Sequence, residues 1–317
     1  MLNIRQNIIA AFFREERHLQ ALSVCFCLLL LMSSCAIWKP REVREIGYDL
    51  EAPDMHRTLP STLHEISGIT QITADTFACI QDEKGTVFLI DVTNGNIIKQ
   101  LPFFGDGDYE GIARVNNTLY ILRSDGTIFE IPNFRSPEYG HLTYETGIPA
   151  NNNEGLCYDA AQNRLLIACK SNIGKGAVLK NVRAIYAFDL STKKLSDVPV
   201  FELNIETLQA YANTHELDIP TKNKKHKKHS DEPDIKFRTS AIAIHPVNGR
   251  LYALSAIDHL LCILNTDGSV YKLIKLDEDV FNKAEGIAFA NDNSMLITNE
   301  GQDKQPTLLS FSYTGRK

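Results

Sequence analysis

The segment Glu110-Gly111-Ile112-Ala113 recurs in related forms along the chain, and its spacing decides the fold. Each related segment has an acidic or small residue, then Gly or Ala, then a strand-like alternation; they are Ser67-Gly68-Ile69, Glu154-Gly155-Leu156, Ser240-Ala241-Ile242-Ala243 and Glu285-Gly286-Ile287-Ala288. Their Gly or Ala residues are separated by 43, 44, 86 and 45 positions. A period near 44 is typical of propeller blades, each built from four short antiparallel strands.

Each recurring segment is followed by further strand-like runs, as in residues 119–122, 127–131 and 142–145 of the second unit. Turn dipeptides such as Asp125-Gly126 separate these runs. The fifth unit ends after its third strand, at Tyr313. We expect residues 45–50 to supply the missing strand, because pairing the two chain ends leaves no free sheet edge.

The double spacing between the third and fourth units leaves two blade counts open. Between Glu154 and Ser240 only one second, one third and one fourth strand can be recognised. The surplus residues include an insert at about 204–237, with a short helix predicted over 205–212. The sequence therefore predicts an all-β fold, a five-bladed β-propeller over residues 45–317, closed by an N-terminal strand in the last blade. A six-bladed propeller is the alternative.

The N-terminus has the features of a targeting signal. An apolar run over residues 19–32 is too short to span a bilayer and suits the core of a signal peptide. Leu31-Met32-Ser33-Ser34-Cys35 resembles a bacterial lipobox, which implies a signal peptide over residues 1–34, a lipid on Cys35 and a tether over 35–44. We therefore expect a lipoprotein of the bacterial cell envelope, periplasmic or on the outer membrane, anchored to a membrane through Cys35. The alternative is an ordinary secretory signal with a coincidental cysteine.

The net charge of the chain argues against nucleic acid as a type of partner. The chain of 317 residues has 33 Lys and Arg against 39 Asp and Glu, a net charge of −6, which disfavours nucleic acid as a partner. Five lysines are concentrated in residues 222–229, a loop that is either simply solvated or contacts an anionic surface.

Four cysteines, Cys79, Cys157, Cys169 and Cys262, lie in apolar strand-like runs and are interpreted as small buried residues, although the sequence leaves their pairing open. We expect a monomer.

The residues that precede the recurring Gly or Ala are candidates for a shared site. They are Ser67, Glu110, Glu154, Ser240 and Glu285. If the blades are equivalent, three carboxylates converge on one mouth of the central channel and repel one another, so protons or a cation must relieve the repulsion. Ca²⁺ suits carboxylate and amide oxygens, and no His or Cys accompanies these segments to favour zinc. The alternative is that the glutamates accept backbone N–H bonds and only order adjacent loops.

Further oxygen ligands could come from the same mouth. Asn153 precedes Glu154, while Asp82 and Asn299 follow the second strands of the first and fifth units. These three residues, together with Ser67 and Ser240, are possible additional ligands to a metal held by Glu110, Glu154 and Glu285.

These segments also carry a family resemblance. Tyr109-Glu110-Gly111-Ile112-Ala113, Asn153-Glu154-Gly155-Leu156 and Ala284-Glu285-Gly286-Ile287-Ala288-Phe289 are similar to the motif of the SdiA-regulated (YjiK-like) family, itself distantly similar to NHL-repeat proteins. The resemblance extends over about residues 46–313. It implies a five-bladed propeller with a bound calcium, for which only Glu110, Glu154 and Glu285 match the family's Glu-Gly motif. Ser67 and Ser240 depart from it.

Two functions remain open from the sequence. The first is a calcium-binding propeller that acts as a binding or scaffold module in the cell envelope, with an unidentified ligand or protein at its mouth. The second is a calcium-dependent hydrolase, phosphoesterase-like or lactonase-like, with its site at the same mouth. The sequence contains no Gly-x-Ser-x-Gly elbow and no phosphate-binding loop, and it identifies no catalytic residue.

Overall fold

Five antiparallel sheets, one for each repeat unit, make up the structure, a computed structural model that describes residues 45–150, 152–174, 177–221 and 232–315. The predicted signal peptide (1–34), the tether (35–44) with Cys35, and the lysine-rich loop (222–229) lie outside the described residues. Within the described part of the chain, no helix is both long and apolar enough to cross a membrane.

In blades 1–4 the strands follow one another in the chain, from the channel outward. Blade 1 contains β2 (Ile66–Gln71), β3 (Thr76–Gln81), β4 (Thr86–Asp91) and β5 (Ile97–Pro102). Blade 2 contains β6 (Tyr109–Val115), β7 (Thr118–Arg123), β8 (Thr127–Pro132) and β9 (Leu142–Glu145). Blade 3 contains β10 (Asn153–Asp159), β11 (Arg164–Cys169) and β12 (Val182–Asp189), whose outer edge pairs with both β13 (Lys194–Leu195) and β14 (Phe201–Asn204).

The last two blades complete the ring. Blade 4 contains β15 (Ala241–Ile244), β16 (Leu251–Ser255), β17 (Leu260–Leu264) and β18 (Val270–Lys275). Blade 5 contains β19 (Ala284–Phe289), β20 (Met295–Asn299), β21 (Thr307–Phe311) and β1 (Met55–Thr58). Each inner strand, β2, β6, β10, β15 and β19, packs beside the next, and β19 packs beside β2. The five-bladed prediction is confirmed, and the six-bladed alternative is wrong.

Blade 5 is closed by a strand from the N-terminal side, as predicted, but not by the predicted segment. β1 pairs antiparallel with β21, with Met55 opposite Ser310 and Thr58 opposite Thr307. The prediction of residues 45–50 was wrong. Within that segment Tyr48 is fully buried, and its hydroxyl donates to the backbone oxygen of Asn293 at 2.7 Å. Its ring packs against four aromatic rings of blades 4 and 5 and the C-terminal segment, so it fills a gap instead of extending a sheet.

Within the described ranges, three short helices lie between strands: the one-turn 3₁₀ helix Ser61–Leu63, α1 (Ala177–Lys180) and α2 (Ile205–Thr214). α2 corresponds to the helix predicted over 205–212. It begins where the Asn204 side chain accepts a hydrogen bond from the Glu206 backbone N–H, a typical N-cap. Its apolar side, Ile205, Leu208 and Ala212, is buried in the core shared by blades 3 and 4. The insert is therefore partly packed onto the propeller.

The core lies between neighbouring blades, and the recurring glycines are needed where inner strands approach closely. A Cβ added to Gly111 would lie 2.5 Å from the Cβ of Leu156 on the next inner strand. A Cβ on Gly286 would collide with the backbone oxygen of Ser67. The Gly in the recurring segment is therefore set by packing around the channel. The four described cysteines are free and buried, as expected for small apolar residues.

Candidate functional site

Each of the three recurring glutamates occupies a β-bulge on its inner strand. In blade 2, Tyr109 pairs with Arg123 and Gly111 with Leu122, so Glu110 has no residue opposite it. Glu154 is skipped in the same way in blade 3, and Glu285 in blade 5. A bulge adds one residue to one strand and redirects its side chain. The structure therefore gives the three glutamates equivalent positions, at the start of the inner strands and at one mouth of the channel.

The two serines at the related positions are used to join blades. The Ser240 hydroxyl donates to the backbone oxygen of Ala284, at 2.7 Å, on the inner strand of the next blade. Ser67 lies in the irregular part of β2, and its backbone oxygen accepts a hydrogen bond of 3.2 Å from the Thr298 hydroxyl. Both serines are buried. They therefore lie at the same mouth as the glutamates but join neighbouring blades, Ser240 to the inner strand β19 and Ser67 to the second strand β20.

The side chains of Asn153 and Asn299 each donate hydrogen bonds from the amide nitrogen, while the amide oxygen has no partner. Asn153 is fully buried, and its Nδ2 donates to the backbone oxygens of Ser124 (2.8 Å) and Ala150 (3.1 Å). Asn299 donates in the same way to the backbone oxygen of Val280, at 3.0 Å. These bonds fix both amide groups and leave each Oδ1 without a donor.

Buried oxygens without a hydrogen-bond partner are concentrated at this mouth. Among the described residues, six buried side-chain atoms are unpartnered: Asp82 Oδ1, Asn152 Oδ1, Asn153 Oδ1, Glu154 Oε2, Thr239 Oγ1 and Asn299 Oδ1. All six lie where an inner strand begins or a second strand ends. An unsatisfied buried polar atom costs about 1–3 kcal/mol, and native proteins satisfy most of them. At this mouth, oxygens are therefore available to hydrogen-bond donors, water included, or to a cation.

Two lysines neutralise part of the acidic mouth. The Nζ of Lys170, which follows β11, contacts Oε1 of Glu154, whose side chain is only 2% exposed. The Nζ of Lys283 contacts Oε2 of Glu300 and lies 3.7 Å from Oε1 of Glu285. Sequence reasoning missed Lys283, although its place two residues before Glu285 could have suggested it.

The glutamates at the mouth hold their protons unusually strongly. Burial, followed by the charge of Glu154, raises the pKa of Glu110 to about 9. Burial, followed by the charge of Glu285, raises the pKa of Glu154 to about 8. Burial also raises the pKa of Glu285, against the opposing effect of Lys283. Burial lowers the pKa of Lys170, but Glu154 outweighs it and the net pKa is raised. Protons and lysines together relieve the repulsion expected from the sequence.

Glu65 and Glu300 form a second acidic pair at the rim. Burial, followed by a hydrogen bond to Glu65, raises the pKa of Glu300 to about 7. The same hydrogen bond lowers the pKa of Glu65, which also lies 3.1 Å from Nδ1 of His64. Glu300 therefore holds the shared proton. Asp82, in the same electrostatic field, has a pKa raised to about 6 by burial and by the charge of Glu65.

The oxygens at the mouth suit a hard cation by chemistry, with amides contributing as well as carboxylates. No group of three or more His, Cys, Asp and Glu side chains within the described ranges is gathered closely enough to hold a metal ion. A cation there would therefore draw on amide oxygens, which Ca²⁺ accepts. The free Oδ1 atoms of Asn153 and Asn299, with Glu154 Oε2 and Asp82 Oδ1, are such donors. Lys170 competes for the same carboxylate.

The opposite end of the channel is lined mainly by apolar side chains and backbone of the inner strands. A cavity of about 340 Å³ there is lined mainly by the later residues of the inner strands, including Ile112, Leu156, Ile242 and Ile287. Arg114 lines it too, but its guanidinium donates to the backbone oxygens of Gln71 and Ile72. The unpartnered polar groups are therefore segregated to the glutamate mouth.

Comparison with known proteins agrees with this architecture. A family described as SdiA-regulated matches residues 45–301. Glutaminyl cyclase from Myxococcus xanthus is similar in structure, with 13% identity, 82% of this chain and 94% of that chain covered, and a TM-score of 0.54. A streptogramin B lyase has 13% identity, coverage of 81% and 97%, and a TM-score of 0.44. A search of curated proteins found no match.

At such identities the structural similarity shows the fold alone. The family match is more specific, because it covers all five recurring segments from Ser67 to Glu285. The chain therefore belongs to the SdiA-regulated family of β-propeller proteins.

Proposed function

We propose that this propeller is a binding module of the bacterial cell envelope, which takes its ligand at the mouth formed by Glu110, Glu154 and Glu285. The single observation that carries the proposal is the set of buried oxygens without partners at that mouth. Elsewhere in the described chain, buried side-chain polar atoms have partners. Such a concentration at one end of the channel favours a ligand that donates hydrogen bonds or carries positive charge.

The proposal includes a calcium ion at this mouth. Glu154, Asn153, Asp82 and Asn299 would hold it, with Glu110 and Glu285 contributing negative charge. The ion would supply the positive charge that protons and Lys170 supply in its absence. Ser67 and Ser240 support the site by joining neighbouring blades, Ser240 through its hydroxyl and Ser67 through its backbone oxygen.

Calcium binding predicts a linked gain in stability. At a concentration 100 times the Kd, a ligand specific for the folded state adds about 2.7 kcal/mol, or roughly 5–10 °C in Tm for a protein of this size. We would compare thermal unfolding in calcium and in chelator, for the native chain, Glu154→Gln and Glu138→Gln. Glu138 is exposed and serves as the matched control. A Tm of the native chain that calcium leaves unchanged would refute the calcium site.

The envelope location is proposed from the lipobox alone. A lipid on Cys35 would anchor the propeller to a membrane, in the periplasm or on the outer membrane, and the propeller would act there as a monomer. Mass spectrometry of the mature N-terminus tests this: we expect cleavage before Cys35 and a diacylglyceryl group on its sulfur. A Cys35→Ala variant should be released from the membrane fraction, and a native chain found unmodified would contradict the proposal.

A hydrolase remains the second candidate, and one observation favours it. Glu300, with a pKa near 7 and a hydrogen bond to Glu65, could exchange a proton near neutral pH. Phosphate esters and lactones should be screened with calcium and with chelator. Turnover lost in Glu300→Gln, but retained in Glu138→Gln, would establish catalysis at the mouth. No turnover in either condition would exclude these substrates.

A further inference from the structure

A second cavity opens at the glutamate mouth, lined mainly by residues of blades 4 and 5. Its volume is about 360 Å³, at the lower end of the range for small-ligand sites. Its lining contains three side chains that are cationic at neutral pH, Lys170, Arg238 and Lys283, and one carboxyl, that of Glu285. Ile257, His259 and Gln302 line it as well. An acidic protein with so many cations around one small cavity is equipped there for an anion.

Arg238 is the cation that the protein leaves unpaired. Lys170 contacts Glu154, and Lys283 contacts Glu300. The guanidinium of Arg238 has no hydrogen-bond or ion-pair partner within the described ranges. The carboxyl of Glu285, which also lines the cavity, lies 3.7 Å from Lys283, and burial raises its pKa, so the guanidinium of Arg238 is the positive group that no carboxylate in the lining contacts. A guanidinium binds a carboxylate or phosphate through two parallel hydrogen bonds, which gives it geometric specificity as well as charge.

The backbone that carries Arg238 is held in place from both sides. Arg183, only 9% exposed, donates from Nε to the backbone oxygen of Phe237 and from Nη2 to that of Lys236, at 2.9 and 2.7 Å. On the other side, the backbone N–H of Arg238 donates to the Ser255 hydroxyl at 3.1 Å. Phe237 itself adopts φ of +36°, an unfavourable conformation for a bulky residue. These contacts position Arg238 at the cavity.

The cavity also has an apolar wall. Ile257, in the turn between β16 and β17, is 49% exposed, and Ala256 precedes it in the lining. On the polar side, His259 donates from Nδ1 to the backbone oxygen of Phe281 at 2.8 Å if that nitrogen carries the proton, which leaves Nε2 as an acceptor. A ligand that spans the cavity would therefore meet Arg238 at one part and a large aliphatic side chain at another.

We propose that this cavity binds a small monocarboxylate with a short aliphatic chain, its carboxylate on Arg238 and its chain against Ile257. The single uncompensated charge favours a monoanion over a phosphate monoester, which carries close to two charges at neutral pH. The inference deepens the proposed function, since it names the class of ligand bound at the same mouth. It rests on that function only for the idea that this end of the propeller binds ligands.

Hexanoate is a suitable probe, with hexanamide as its uncharged match and hexyl phosphate as its more highly charged match. Binding would be measured by calorimetry and by ligand-observed NMR on the native chain, Arg238→Gln and Lys99→Gln. Lys99 lies exposed on the outer strand β5, so its variant removes one positive charge far from the cavity. Each protein would also be titrated with calcium alone.

We expect saturable binding of hexanoate, at least tenfold weaker binding of hexanamide, and at least tenfold weaker hexanoate binding by Arg238→Gln but not by Lys99→Gln. Equal binding of hexanoate and hexanamide, no binding of hexanoate, or unchanged binding by Arg238→Gln would overturn the inference. Tighter binding of hexyl phosphate would overturn the choice of a monoanion. Calcium binding that persists while hexanoate fails would refute this inference and leave the calcium site standing; the reverse result would refute only the calcium site.

Discussion

The ammonium group of Lys170 lies against the carboxylate of Glu154, a side chain that is only 2% exposed. This pair links the end of β11 to the bulge of β10, within blade 3. A buried carboxylate that loses its cation must either keep its proton or pay the full cost of desolvation. The two predictions that follow most directly concern this pair and the packing around it.

Lys170→Gln should destabilise the protein by about 1–3 kcal/mol in chelator, because it removes the partner of a buried carboxylate. The loss is moderate because the position of residue 170 is partly exposed, so water can reach the substituted side chain. Urea unfolding at pH 7.5 would measure the change. The double variant Lys170→Gln with Glu154→Gln should recover part of the loss, because the pair then has no charge. If calcium competes with Lys170, the single variant should also bind calcium more tightly. An equal loss of stability in Lys99→Gln would contradict this explanation.

Gly111→Ala should destabilise the propeller by about 2–4 kcal/mol, because its new Cβ would lie 2.5 Å from Leu156 and force the inner strands apart. Gly105→Ala is the matched control, since a Cβ at Gly105 would meet no atom within 4 Å. The control should be neutral or slightly stabilising through loss of backbone freedom in the unfolded chain. Chemical denaturation of both variants tests the difference, and similar midpoints would show that inner-strand packing is not the reason for the recurring glycine.

Tyr48→Phe should cost about 1–2 kcal/mol, because the lost hydroxyl bonds both His245, at 2.9 Å, and the backbone oxygen of Asn293. The ring would still fill the gap between blades 4 and 5. Tyr139→Phe removes a hydroxyl that bonds the backbone oxygen of Pro102 in an exposed setting, so it should cost less than about 0.5 kcal/mol. Thermal unfolding of the two variants measures the difference. Equal losses would mean that burial does not strengthen the Tyr48 bonds.

The contribution of His245 to stability should fall as the pH drops from about 6.5 to 4, in the opposite direction to that of the mouth carboxyls Glu110, Glu154 and Glu300, whose raised pKa values favour the folded state on acidification. Burial lowers the pKa of this fully buried histidine to about 4, while its value in the unfolded chain is about 6.5. The unfolded state therefore binds an additional proton in that interval, and up to about 3 kcal/mol is lost on acidification. Urea unfolding of the native chain and of His245→Gln at several pH values would measure this contribution as the difference between the two proteins. The same pH dependence in both proteins would contradict it.

The fold could be predicted because the recurring segment marks every inner strand. In four of the five segments the Gly is imposed by a close approach that leaves no room for a Cβ, so the period of the sequence is the period of the blades. The closing strand could not be located in this way. Met55–Thr58 is an outer strand with three exposed residues, and so lacks the apolar alternation that identifies buried strands. Residues 45–50 are more apolar, and they resemble a strand for that reason, but their apolar residue Tyr48 is used to fill the gap between blades 4 and 5.

The candidate site was only partly predictable for a similar reason. Glu110, Glu154 and Glu285 share a local motif, and the bulge that presents them is encoded beside each glycine. The pairing of Glu65 with Glu300 depends on how blade 1 meets blade 5, across about 235 positions of the chain. The same holds for Arg238, whose backbone is fixed by Arg183 in another blade. Relationships of this kind follow from the ring, not from any local pattern.

The pairing of β1 with β21 also sets the order in which the molecule can be completed. Met55 and Ser310 are partners more than 250 positions apart, so the ring cannot close until β21 has left the ribosome. Blades 1–4 are each contiguous in sequence and can form as they emerge. Until β21 arrives, β1 has no partner strand, and its backbone groups must stay solvated while four blades fold.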